Sequence, residues 1–264
     1  MVIKLTGEGT IDNPYICTKL SEIISVQANT TPYIQIPPNT LIDANEEYPE
    51  GFSSAIYMCS HIDGQGSIIR NLANTAGSVF SCDGADFTNL NFYNVLGQSC
   101  LFERTNSGSP CVLYNCKFSG RMNNITSLIE HYAGSIRRCS FNFELYGHDI
   151  AEFSWWDIYD GFIIEYNRLE FDCQHHTGNS GISIGIVSNC YVTGTNPRSI
   201  SIGGSTNVVD FTTPSANIDF RADNILVNSD KCASITQQAG TYPVTTAQMK
   251  DASYLASLGF PIQT

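Results

Sequence analysis

The chain has 264 residues and a formal net charge of −12, with only 14% of its residues charged. That length can bury one large core. Thirteen scattered Lys and Arg form no basic stripe, which excludes a nucleic-acid binder and disfavours anionic membranes and polyanionic substrates. Asn, Ser, Thr and Gly supply the missing polarity, a mixture suited to exposed sheet and tight turns. No apolar run approaches the ~18 residues of a transmembrane helix, so no membrane insertion is expected. "MVIKLTGEGT" lacks the charged-then-apolar order of a signal peptide. Ten cysteines include no C-x-x-C pair suited to zinc, and they are expected as buried, reduced thiols. No metal and no cofactor are expected.

The chain opens with "GEGTIDNPYICTKLSEIIS" (7–25). Its Gly-Glu-Gly-Thr and Asp-Asn-Pro-Tyr turns lead into a short amphipathic helix over 18–25, with Thr18 as a candidate cap. "YIQIPPNTLIDAN" (33–45) then begins the strands.

A hexamer recurs from there on: apolar, any, often Asn, apolar, any, apolar. Copies begin at Ile69, Phe87, Leu113, Ile136, Ile164, Val187 and Ala222. Cys116 of "LYNCKF" and Cys139 of "IRRCSF" occupy the fourth place, where Leu72, Leu90 and Ile225 stand in other copies. A second set interleaves with the first, at 55–59, 78–82, 100–103, 127–130, 150–153, 182–184 and 200–202. The fourth and sixth places are two apart and share a strand face. The first and fourth have opposite parity, so the backbone must bend between them for both to face the core. Asn at the third place tolerates the left-handed conformation such a bend requires. One bent ribbon every 20 to 30 residues predicts an all-β fold: a right-handed parallel β-helix, or solenoid. The competing β-sandwich calls for Asn-Gly hairpin turns, which this chain lacks between its strands.

At the far end, "TTAQMKDASYLASLGFPIQT" predicts a helix over 247–257 capped by Thr245 or Thr246 and ended by Gly259. The organisation read from the sequence is an N-terminal cap over 1–32, the parallel β-helix over 33–240 and a C-terminal helical cap over 241–264.

The opening resembles the G-x-G-T-x-x-D-P-Y-x-I start of many bacterial and phage β-helix proteins, through Gly7, Gly9, Thr10, Pro14, Tyr15 and Ile16. Asn13 replaces the usual acid. The 33–45 stretch resembles the first coils of the pectate-lyase-like superfamily, with Ala44 where that superfamily has glycine. The C-terminal stretch is similar to the ending of surface β-helix proteins from gut bacteria and their phages. These resemblances imply a bacteriophage virion structural protein: a head fibre, capsid decoration or tail appendage, made in the host cytoplasm. It would be a homo-oligomer, a trimer by preference, touching other virion proteins and presenting loops for adhesion to a host surface glycan. The alternatives are a tailspike-type polysaccharide lyase or glycosidase, and a bacterial surface adhesin.

Enzymes of this superfamily carry acids or bases on one exposed sheet. Glu103 and Glu130 would stack one coil apart if Phe102 and Ile129 face inward, and two carboxylates about 5 Å apart suit a retaining glycosidase. The same spacing describes any two stacked surface acids. Gly147-His148-Asp149 is a fragment of the polygalacturonase pattern, without its paired aspartates. Cys173 and His175 are two candidate ligands, too few for a metal site. No catalytic residue is assigned. The densest aromatic stretch, "FSWWDIYDGF" (153–162), offers Trp155, Trp156, Asp157, Tyr159 and Asp160 for a glycan or a protein partner, or for packing within the chain.

Overall fold

The computed structural model describes residues 5–27, 31–104, 111–123, 134–146, 151–152, 163–165, 168–172, 182–188, 191–195, 199–205, 208–211, 217–220, 225–228, 235–236, 241–249 and 251–258. Among the described residues the strands stack into three sheets of twelve, ten and three strands. The ladders between named strands are all parallel. This is a parallel β-solenoid, and the all-parallel pairing rules out the sandwich.

The first sheet runs from Tyr15–Ile16 through Tyr33–Gln35, His61–Asp63, Asp86–Thr88, Cys111–Tyr114 and Gly134–Arg137 to Ile235–Thr236. The second runs from Leu41–Asp43 through Ile68–Arg70, Asn91–Gly97, Lys117–Met122 and Ser140–Leu145 to Thr241–Val244. The third holds Ile56–Met58, Phe80–Cys82 and Phe102–Arg104.

The hexamer register holds from its second copy through the copy at Val187, and Ala222, which begins the last copy, lies outside the described residues. Leu113 pairs with Ile136 in the first sheet, and Phe118 pairs with Phe141 in the second. Cys116 and Cys139 lie between these pairs, buried and not joined by a disulfide. The third place is the bend: Asn89 and Asn115 both have φ 52°, and Arg138 has φ 55°. The first copy is out of step. Ile69 pairs with Phe92 in the second sheet, so "IRNLAN" turns the next corner of the coil. Its Asn71, with φ 58°, satisfies the same bend rule at a different place. The sequence also conceals one coil, because Val208–Phe211 lies between Tyr191–Thr195 and Ile225–Asn228.

The interleaved set divides. Its first three members form the third sheet, with Ile56, Phe80 and Phe102 in register. Residues 182–184 and 200–202 fall instead in long strands of the first sheet, Ile182–Ser188 and Ser199–Ser205. Inside, Phe92, Phe118 and Phe141 stack ring on ring, with centroids 4.9 and 5.1 Å apart. Phe80 stacks on Phe102 at 5.2 Å. Fully burying each such side chain contributes roughly 1.5–3 kcal/mol.

The N-terminal helix is Leu20–Ser25, with Lys19 rather than Thr18 at its cap. Glu22 accounts for the shift, because its carboxylate reaches back to the amides of Thr18 (2.7 Å) and Lys19 (3.1 Å). Glu47 accepts from the amides of Leu20 (2.7 Å) and Ser21 (3.2 Å). Ala44 is buried and begins the short helix Ala44–Glu47. The opening glycines also have a structural cause. A Cβ on Gly7 (φ 101°) would lie 2.0 Å from the Pro14 carbonyl oxygen, and one on Gly9 (φ 74°) would lie 2.4 Å from the Tyr15 ring. Only glycine permits this fold-back of 7–9 onto 13–15. The C-terminal helix is broken in two, Thr246–Met249 and Ala252–Ser257. Asp251 restarts it by accepting from the amides of Ser253 (2.9 Å) and Tyr254 (3.1 Å).

Candidate functional site: a groove on the first sheet

Each early strand of the first sheet is three or four residues long and buries its middle residue: Ile34, Ile62, Phe87 and Leu113. Alternation then turns the flanking residues outward. Two outer columns result. Tyr33, His61, Asp86 and Val112 form one, while Gln35, Asp63, Thr88 and Tyr114 form the other. The folded-back N-terminal turn places Ile11 and Pro14 beside them, and together they line a cavity of about 490 Å³. The Gly7–Tyr15 motif thus builds one wall of a groove whose floor is rigid sheet.

Tyr33 stacks on the imidazole of His61 with centroids 4.5 Å apart. His61 Nδ1 is bound to Asp86 Oδ2. Burial raises the Asp86 carboxyl above the ordinary carboxylate range, opposed by His61 and by the Val112 amide. Asp63 accepts through Oδ1 from the Gln65 amide (3.2 Å) and Asn89 Nδ2 (3.2 Å). Among the described residues, His61 Nε2 and Asp63 Oδ2 have no hydrogen-bond partner. The Arg138 guanidinium, outside the lining residues, stands 5.8 Å from the Tyr114 ring centroid. The arrangement offers aromatic surface, fixed acceptors and one imidazole oriented by a carboxylate.

A second depression, about 510 Å³, lies on the second sheet beside Asn94, Ser119, Arg121, Asn142 and Glu144. Its Arg121 guanidinium packs 5.1 Å from the Tyr146 ring centroid. No group of three His, Cys, Asp or Glu among the described residues is arranged to hold a metal ion.

Of the candidates read from the sequence, Glu103 is in register with Ser81 on the third sheet and is half-buried, next to the inward Phe102. Its proposed partner Glu130 lies outside the described residues, as do Trp155, Trp156, Asp157, Tyr159, Asp160, His148, Cys173 and His175. The groove residues escaped sequence reasoning because they occupy the non-repeating places of each coil. Their one signal was available: polar or aromatic residues flank a single apolar residue in "YIQ", "HID" and "DFT", which marks one wet sheet face.

No family model and no curated protein matches the chain. The structure is similar to the solved structure of a "putative immunoglobulin A1 protease" from Bacteroides ovatus, with a TM-score of 0.47 and 12% identity over 95% of this chain and 89% of that one.

Proposed function

We propose that the protein is a non-catalytic structural component of a bacteriophage particle, a head fibre, capsid decoration or tail appendage, that holds a host surface glycan in the groove of the first sheet. The observation that carries the binding role is the groove itself. Tyr33 and Tyr114 supply ring faces, and Asp63 and His61 supply open acceptors, all fixed to stacked strands rather than to loops. Saccharides, with apolar ring faces and hydroxyl edges, need both kinds of surface. The particle setting is supported by the resemblance of the two chain ends, and a homotrimer would align three grooves around the particle. Mass spectrometry of purified particles tests the setting, and absence of the chain from them rejects it. Glycan-array binding without turnover, weakened by Tyr114→Ala, tests the groove.

One observation favours a second reading as a polysaccharide lyase or glycosidase. Asp86 fixes His61, a lining residue of the groove, through Nδ1 and leaves Nε2 without a partner among the described residues, the arrangement of an oriented general base. New reducing ends or unsaturated sugars, lost in His61→Asn, would establish that reading; none are expected.

A further inference from the structure

Resting on the reading of the groove as a saccharide site, we propose that it selects sugars bearing a protonated amine and discriminates against uronates and other acidic sugars. The resemblance to pectate-lyase-like proteins points toward uronate, and the residues of this groove point the other way. Two carboxylates, Asp63 and Asp86, face it, and no Lys or Arg is among its described lining residues. With His61 protonated, these three groups still leave a net negative charge; with His61 neutral, the charge is more negative. Asp63 is the decisive group. Its Oδ1 is held by two neutral amide donors, and its Oδ2 has no partner among the described residues, so it has an acceptor free for an ammonium donor. The Tyr114 ring, two coils along the same column, already holds one cation against it, the Arg138 guanidinium at 5.8 Å, so this side of the sheet accommodates positive charge. An acidic sugar in the same place would set its carboxylate against Asp63 and Asp86 with no Lys or Arg among the lining residues to offset it, and the Arg138 guanidinium, outside that lining, is engaged with the Tyr114 ring.

The probes are oligomers of glucosamine, their fully N-acetylated counterparts and galacturonate oligomers of equal length. Calorimetry is run at one ionic strength, at a pH where the glucosamine amines are protonated. A charge-assisted hydrogen bond to Asp63 predicts that glucosamine oligomers bind about tenfold or more tightly than the acetylated ones, with galacturonate weakest. Asp63→Asn, which keeps the Oδ1 acceptor, abolishes the preference. Glu50→Gln, the same charge change at an exposed residue away from the groove, leaves it intact. Gln35→Lys sets a cation one coil from Asp63 and reverses the order between glucosamine and galacturonate, a second route should the Asp63 variant fold poorly. Equal or tighter binding of acetylated or acidic oligomers, lost in Tyr114→Ala, overturns the selectivity and leaves the groove a saccharide site. Equal losses in Asp63→Asn and Glu50→Gln overturn it as diffuse attraction to an acidic chain. No binding of any oligomer, or binding unaffected by both groove variants, overturns this inference and the saccharide-binding role together.

Discussion

Asn115 donates through Nδ2 to Oδ1 of Asn89, one coil away, over 2.8 Å, and both residues sit in the left-handed region at φ 52°. Asn89 in turn donates to Oδ1 of the groove carboxylate Asp63. A backbone requirement and a side-chain ladder therefore meet in the same residues, and the ladder ends at the candidate site. Asn115→Ala loses both the tolerance of positive φ and the ladder bond, and is expected to cost about 1–2 kcal/mol. Asn115→Gly keeps the backbone conformation and loses only the bond, so its cost is smaller. Urea unfolding of the two variants checks this, and an alanine as mild as glycine contradicts it.

Arg138 stands where Asn115 and Asn89 stand on neighbouring coils, with φ 55°. A long side chain in this region carries a penalty of about 1–2 kcal/mol, whereas its exposed contact with the Tyr114 ring contributes about 0.5–1 kcal/mol. Arg138→Asn is therefore expected to stabilise the protein by a few tenths of a kcal/mol to about 1 kcal/mol, the difference between these terms. A lower unfolding midpoint for this variant would show that the ring contact outweighs the backbone strain.

The same corner explains what was legible in the sequence. "LYNCKF" and "IRRCSF" announced their register because every coil must bend at the same place, bury at the same place and stack the same ring, so physics repeats the letters. The penalty against side chains at positive φ is what wrote Asn at 89 and 115. The early coils were harder to read because corners with different partners use the same letters: Asn71 meets the level of Asn94, to which it is joined by an Asn94-to-Asn71 side-chain bond of 2.7 Å. The groove left almost no trace, since His61, Asp63, Asp86 and Tyr114 come from three strands at places the repeat leaves free. Only the stacking register brings them together, and only the fold-back at Gly7 and Gly9 gives them a wall.

Cys116 and Cys139 carry a prediction about chemistry. Both are buried, and burial pushes the Cys139 thiol upward. Cys82 is raised in the same way. A buried protonated thiol is a poor nucleophile. At Cys116 burial is outweighed by hydrogen bonds, the one with Cys139 foremost, that hold the thiol lower, so its inertness rests on its being shut away from solvent. The native protein is expected to resist thiol reagents at all seven described cysteines, namely Cys17, Cys59, Cys82, Cys100, Cys111, Cys116 and Cys139. Denaturation should release all seven, counted by peptide mapping after labelling. Finding Cys116 and Cys139 in a common disulfide-linked peptide contradicts the assignment.

Asp43 and Asp86 should make opposite contributions to stability as pH changes. The Asn71 side chain, with Arg70 and the Asn45 amide, holds the Asp43 carboxyl below its ordinary value. Its ionised form is favoured by folding, so its contribution is present above the unfolded value of about 3.9 and is lost as pH falls through the lower folded value. The Arg70 part, exposed and 2.8 Å away, weakens with salt, whereas the Asn71 bond does not. Asp86 is raised by burial. Its contribution is present below the ordinary carboxylate value and is lost as pH rises through the folded one. Comparing urea midpoints across pH, Asp43→Asn is expected to lose most relative to the parent at neutral pH and to converge with it in acid. Asp86→Asn is expected to match the parent in acid and to gain on it toward neutrality. Its gain is limited by the weakened hold on His61, whose ring nitrogen then binds a neutral amide in place of a carboxylate. Parallel curves for the two variants would show that burial at Asp86 is outweighed by its bond to His61.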